Sequence, residues 1–503
     1  MARSYAGVRG GSGRPTEQIQ GWVSPSAARN FFRTKFSCGM LIRHLAFPDS
    51  PPYNPPPMTS DTPLLGLRGC VIDAPEYGKL RTWRDGAVVI ADGRIAEVGD
   101  FQHLGKKSRP RPIRWLHSER AAIFPGLIDL HSHVPQYPAV ARGRGQLLDW
   151  LHACIFPRER TFTGPPGQRE AAAFFPELAR HGTTTAMLYA AIYEDSCDAA
   201  FAAAARAGLR VIMGKMMMDV GTYGTLQPRK VISVSMLESE RLARKWHGAA
   251  EGLLEYAFSP RFALSCSERL MREAAAMAAQ FGCYIQTHLA ETREECERVR
   301  HMFPACRDYT EVYEKFGIAG PRTVFGHCIH LNERERAALA ASGSAIAHCP
   351  TANLYLGSGI MPLAEHKSAG LRIGLGSDVA AGPELNMWQV MRSAIESQKA
   401  RSFYEAKVAA PSPAQVLHLA TQGAADALGK GGIIGSFEVG KEADVTVMDA
   451  SILLPYRGSA TKPDELSADD ILSLCIYRGG PHAVLETFVR GRSVYRSAEP
   501  ELF

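Results

Sequence analysis

Five residues carry the chemistry legible in this chain: His131 and His133 in DLHSHVPQYP, His288 in QTHLAE, His327 in FGHC and Asp378 in GLGSD. Each lies at or near the C-terminal end of a short apolar run that reads as a strand. Imidazole nitrogen and carboxylate oxygen suit Zn²⁺ and Fe²⁺, with no need for cysteine sulfur. Such a set describes a hydrolytic metal site. Side chains alternate faces along a strand, so His131 and His133 project the same way and one segment supplies two ligands. Glu291, three residues beyond His288, is placed to move protons.

The elements that position these groups follow from the spacing. The gaps between the remaining ligands are long, which excludes a zinc finger, whose ligands come in close pairs. Eight candidate strands can be counted: 123–131, 183–190, 210–218, 254–262, 283–288, 323–327, 344–349 and 372–377. Ala-, Leu- and Glu-rich segments at helical spacing separate most of them, such as 268–280 and 332–341. The alternation predicts an α/β fold, a (β/α)₈ TIM-like barrel, which places its site at the C-terminal ends of the strands. The first, fifth, sixth and eighth strands carry the candidate ligands. Before and after this region, stretches such as GAVVIADGRIAEVGD and ADVTVMDA alternate apolar with polar residues and predict further strands.

These motifs resemble the amidohydrolase superfamily and, within it, the guanine deaminase family. The superfamily likeness rests on the His-x-His, the two later histidines and the aspartate. The narrower one rests on PGLIDLHSHVPQYP, LLDWLHACIFPRE, HGTTTAMLYAAIYEDS, SPRFALSCSERLM, HLAETREE, DYTEVYEKFG, AHCPTANLYLGSG and GLGSDVAAG, in order from about Leu64 to the C-terminus. The resemblance implies one zinc ion per chain, held by His131, His133, His288, His327 and Asp378. It implies hydrolytic deamination of guanine to xanthine and ammonia, a step of purine catabolism. Glu291 and Asp378 would be the proton-moving groups. It also implies a homodimer, and that both chain ends meet in one small β-sandwich beside the barrel. The expected organisation is a disordered extension over 1–60, the first part of the sandwich over 61–122, the barrel over 123–424 and the second part of the sandwich over 425–503.

Substrate contacts are implied at Gln136, Trp150, Arg261 and Phe262. The Gln136 amide can both donate to and accept from a purine edge. The Arg261 fork suits a carbonyl acceptor and disfavours adenine, whose amino group there is a donor. Trp150 and Phe262 would form the aromatic walls. Two alternatives stand beside this reading. One is a related aminohydrolase acting on a pterin, triazine, cytosine or adenosine-like ring. The other is a non-catalytic scaffold, although such proteins lose metal ligands and this chain retains every one.

Three decoys need separating from the site. Residues 435–441 read GSFEVGK, most of a phosphate-binding loop, but Glu442 stands where Ser or Thr should follow, and the region reads as strand–turn–strand. Lys215 raises the question of a bridging carboxylated lysine; the binuclear relatives carry it on the fourth strand, where this chain has Ser-Pro-Arg-Phe, so one metal is expected. His348 in AHCP reads as core or as support for the ligands.

Composition bounds the rest. No apolar run reaches the ~20 residues needed to span a bilayer. The 11 cysteines are odd in number and unpaired in spacing, which predicts a reducing, cytoplasmic setting. Residues 1–57 hold seven Lys/Arg against two Asp/Glu and so carry +5 of the formal +6. The near-neutral remainder gives no electrostatic case for nucleic acid. The first 57 residues read as a disordered tail, as a transit segment, or as sequence before a start at Met58.

Overall fold

The structure, a computed structural model, describes residues 63–498 except 108, 110, 144, 225–227, 406–407 and 457–464. The expected extension over 1–60 lies outside the described residues.

Four strands open the described chain: β1 (Leu64–Glu76), β2 (Lys79–Ala91), β3 (Arg94–Asp100) and β4 (Ile113–Pro125). Nine follow: β5 (Leu127–His133), β6 (Thr183–Tyr189), β7 (Arg210–Gly214), β8 (Met216–Met217), β9 (Leu254–Pro260), β10 (Tyr284–Leu289), β11 (Thr323–His327), β12 (Ala345–His348) and β13 (Arg372–Leu375). The last three are β14 (Val445–Asp449), β15 (Val484–Val489) and β16 (Arg492–Arg496).

Strands β5 to β13 form a parallel barrel in the order β13-β12-β11-β10-β9-β7-β6-β5, with β8 a two-residue continuation of β7 against β9. Residues of β5, β6, β7 and β11 are buried along their whole length. This is the signature of parallel strands covered on both faces, one by the barrel interior and one by helices. The first and last strands meet where Asp378 N donates to His131 O at 2.7 Å and Ser377 N to Asp129 Oδ1 at 2.9 Å. All eight expected strands are present, but the first begins later than expected. Residues 123–125 belong to β4, and Gly126 separates β4 from the barrel. The apolar run AAIFPGLIDL is continuous across that junction, so hydrophobicity alone does not divide it.

Both chain ends join in one seven-stranded sheet of order β16-β15-β14-β4-β1-β2-β3. The two ends meet in the antiparallel ladder of β4 with β14, from Val445 opposite Pro125 to Asp449 opposite Ala121. The sheet is tied to the barrel floor. Arg210 at the start of β7 pairs in a buried setting with Glu442 and Asp444, and Thr446 Oγ1 donates to Gly182 O at 2.6 Å. Residues 435–441 are turns rather than strand–turn–strand, with the strand starting only at Val445. Lys441 bonds Gln422 Oε1 and Ser436 Oγ, as a structural lysine does.

Helices on the barrel exterior begin with side-chain caps that satisfy their first backbone donors. Thr292 with Glu295 and Asn332 with Glu335 form reciprocal capping boxes. No helix among the described residues is long and apolar enough to cross a membrane.

Candidate metal centre and ring pocket

The barrel brings the five expected ligands together. One ligand atom each from His131, His288, His327 and Asp378 lies within 4.8 Å of the others. His133 stands slightly outside that tightest group yet belongs to the same cluster. Its Nε2 is 3.2 Å from Asp378 Oδ1 and 3.3 Å from His288 Nε2. His131 Nε2 is 3.4 Å from the same Asp378 oxygen, and His327 Nε2 is 3.8 Å from Asp378 Oδ2.

Neighbours orient the rings from behind. His288 Nδ1 donates to Arg261 O at 2.6 Å and His327 Nδ1 to Asn353 Oδ1 at 2.9 Å. Each bond places the proton on Nδ1 and turns the Nε2 lone pair inward, the arrangement that metal-ligating histidines show. Burial pushes the His288 imidazole well below its ordinary range and the adjoining imidazoles add to this; burial likewise pushes His133 down to about 4. The His288 and His133 rings are therefore neutral at rest. Nε2 of His131 and of His327 is buried without a hydrogen-bond partner. Converging imidazole nitrogens, two of them orphaned, beside a carboxylate fit a divalent cation.

The backbone concedes something to this geometry. His327 and Asp378 adopt φ of 68° and 48°, left-handed values uncommon outside glycine. They are held there by Cys328 N on Leu289 O at 2.9 Å and by Asp378 N on His131 O. Such strain persists only where surrounding bonds over-determine it, typically at functional sites.

Above the cluster lies a cavity. Its walls include His133, His288, Glu291, His327 and Asp378, and also Gln136, Trp150, Arg261 and Phe262. Every residue expected to touch a substrate thus faces one space, with His131 just beneath it. Glu291 Oε2 is 3.4 Å from His327 Nε2, and Oε1 accepts from Ser358 Oγ at 2.8 Å. Burial pushes the Glu291 carboxyl up to about 8, the charge of Asp378 adding to it and the Ser358 bond opposing it. Burial also acts on Asp378, but the His131 and His133 imidazoles beside it outweigh that and keep that carboxyl well below its ordinary value. One carboxyl is thus kept protonated at neutral pH and its neighbour ionised.

The comparisons with known proteins agree with this geometry. The family described as "Amidohydrolase family" matches residues 122–494. The chain belongs to the amidohydrolase family. The guanine deaminase of Escherichia coli is 34% identical to this amidohydrolase over 452 residues, covering 87% of this chain and 99% of that one. A probable guanine deaminase of Deinococcus radiodurans is 36% identical, over 76% of this chain and 85% of its own length. Among solved structures, the guanine deaminase of C. acetobutylicum with bound guanine in its active site superposes with a TM-score of 0.78 at 28% identity. That match covers 86% of this chain and all of the other. The amidohydrolase is thus a hydrolase acting on carbon–nitrogen bonds.

Several members of the site escape a reading of residue types. Glu159 is fully buried and accepts from both Gln136 Nε2 and Arg261 Nη1. Burial pushes its carboxyl up, but the charge and hydrogen bond of Arg261 outweigh that and hold it low. Tyr189 stacks on His133 with ring centroids 4.6 Å apart. Asp129, two residues before His131 and so on its face of β5, braces the barrel seam through Ser377 Oγ and the His131 amide. Alternation along the strand would point from His-x-His to Asp129, one step upstream; Glu159 ends the motif LLDWLHACIFPRE, which marked the segment but gave that residue no role. Lys215 points away from the cluster, toward Ile192 O, Ser235 and Glu238. His348 is buried near the cluster but outside the ligand group.

Proposed function

We propose that this amidohydrolase is a zinc-dependent guanine deaminase acting in purine catabolism: guanine and water give xanthine and ammonia. The observation that carries the reading is the single cavity in which the histidine–aspartate cluster and the Gln136–Arg261 pair face each other. The names of its relatives point the same way. One zinc ion per chain fits the donor set of His131, His133, His288, His327 and Asp378 and supplies, when bound, a water acidic enough to attack at neutral pH.

The chain's own residues do the rest. Asp378, kept ionised, takes a proton from the attacking water. Glu291, kept protonated by burial, donates to the ring nitrogen beside the reacting carbon, takes up the water proton from Asp378 and gives it to the departing amine; the proton of the new hydroxyl, released as the carbonyl forms, restores Glu291. A carbon–oxygen bond forms, the carbon–nitrogen bond to the exocyclic amine breaks, and ammonia leaves. Gln136 and Arg261 hold the opposite edge of the ring, while Trp150 and Phe262 enclose its faces. Gln136, Arg261, Trp150 and Phe262 are all buried, and low exposure to water strengthens these polar contacts. A homodimer in a reducing, cytoplasmic setting completes the reading. It is supported by the family likeness and by ten free cysteines among the described residues, and light scattering tests the assembly.

The decisive experiment measures ammonia release from guanine, adenine, cytosine, 8-oxoguanine and a pterin, for the wild type and for Arg261→Ala. Guanine should be strongly preferred. Arg261→Ala should cost ~2–4 kcal/mol in transition-state binding with metal content unchanged, and Lys should rescue poorly because a point charge cannot replace the planar fork. Equal wild-type rates on adenine and guanine refute the assignment.

A further inference from the structure

We propose that Glu159 is a positioning residue that sets which purine edge the cavity accepts, acting through Gln136 and Arg261. The inference rests on the guanine reading above and deepens it.

Glu159 does not line the cavity. It lies behind the wall, 0% exposed, and both its oxygens are committed. Oε1 accepts from Gln136 Nε2 at 2.8 Å and Oε2 from Arg261 Nη1 at 2.7 Å. On its other side Gln136 Oε1 accepts from Ala380 N at 3.2 Å. A carboxylate can only accept and a backbone amide can only donate, so the Gln136 side chain has one permitted orientation. One N–H and one lone pair of that amide remain for a ligand, in a fixed order. Arg261 is held by the same carboxylate and flanked by Phe156, whose ring centroid is 4.9 Å from the guanidinium carbon. A third donor, the Tyr223 hydroxyl, also reaches Glu159.

A single short segment supplies Trp150, Phe156 and Glu159. Trp150 lines the cavity, the π-turn Leu151–Ile155 follows, and the helical turn Phe156–Arg160 carries both Phe156 and Glu159. Guanine offers a carbonyl acceptor where adenine offers an amino donor. Discrimination between them needs donors that cannot turn into acceptors. Arg261 meets that condition by its chemistry; Gln136 meets it only while Glu159 and Ala380 clamp its amide. A site with a fixed hydrogen-bond polarity rejects the wrong edge because buried polar groups would be left unpaired.

The test is steady-state kinetics of full-length, metal-loaded Glu159→Gln on guanine and on adenine. The new amide can donate to Gln136, so Gln136 can turn over. KM for guanine should rise at least ~10-fold with kcat changing by less than about 3-fold, and the guanine-to-adenine ratio of kcat/KM should fall at least ~10-fold. Metal content should hold. In a Gln136→Ala background the same change should have a smaller effect, because the two residues act as a unit. Where Glu159→Gln does not accumulate as folded protein, Glu159→Asp serves, its shorter carboxylate being unable to reach both partners; the shifts should share the direction and be smaller. Unchanged KM and unchanged substrate ratio, or a loss confined to kcat or to metal content, overturns the inference. Wild-type protein inert on guanine overturns the deaminase reading instead, so the two failures are distinguishable.

Discussion

Ser358 Oγ donates to Glu291 Oε1 at 2.8 Å, which leaves the other oxygen of that carboxyl turned toward His327 Nε2, 3.4 Å away. The two contacts divide the labour of one side chain. One oxygen is anchored by a loop residue after the seventh barrel strand; the other is free to exchange a proton beside the ligand cluster. Glu291 itself is no ligand in the tightest donor group. Glu291→Gln should therefore keep its metal and lose at least ~100-fold in turnover, because proton transfer is removed while the ligands stay. Near wild-type turnover in that variant would remove Glu291 from the mechanism.

Metal content gives a second check. His288 sits at the centre of the cluster, with its ring fixed by Arg261 O. His288→Ala should lose the ion or bind it far more weakly, since an incomplete donor set remains. Elemental analysis should find one zinc per wild-type chain. Two metals at full occupancy would contradict the mononuclear reading, as would full metal in the alanine variant.

The residue before His327 tests how tightly the cluster is packed. A Cβ built on Gly326 would lie 2.7 Å from His131 Cε1 and 3.1 Å from its Nδ1. Neither β11 nor the imidazole can yield without moving a ligand. Gly326→Ala should therefore weaken metal binding at least ~10-fold while the barrel still folds, as seen by competition with a chelator and by far-ultraviolet circular dichroism. Unaltered metal affinity would show that the ring has room to shift.

Acid sensitivity should trace in part to His366. Its Nε2 lies 2.8 Å from Cys328 O, and burial pushes it from 6.5 down to about 4. Below about 6.5 the unfolded chain takes up a proton that the folded chain refuses until about 4. The unfolded state then binds more protons, so this group lowers stability as pH falls through that window. Urea midpoints of wild type and His366→Gln, compared at about pH 7 and about pH 5, should show a smaller acid-induced drop in the variant. Equal drops would assign the effect elsewhere.

Much of the site was legible before any tertiary contact was known. The ligands stand at the ends of apolar runs, and their residue types match one chemistry. The alternation of a strand puts His131 and His133 on one face whatever surrounds them. Family likeness supplied Gln136, Arg261, Trp150 and Phe262, and the structure places all four on one cavity.

What tertiary structure alone decided concerns groups whose role depends on distant partners. Glu159, in FPRER, has the local sequence of a solvated helical charge, yet it is buried against an arginine 102 residues away. The break between β4 and β5 falls inside one apolar run, because strand membership depends on which ladder each residue joins: 123–125 pair with β14, and residues from Leu127 pair with β6. The need for glycine at 326 comes from the ring of His131, delivered by another strand. Periodicity and residue type are properties of a few neighbouring positions, and they determined the elements and the chemistry. Burial, charge pairing and close approach are set by which segments the barrel brings face to face, and these only the folded chain decides.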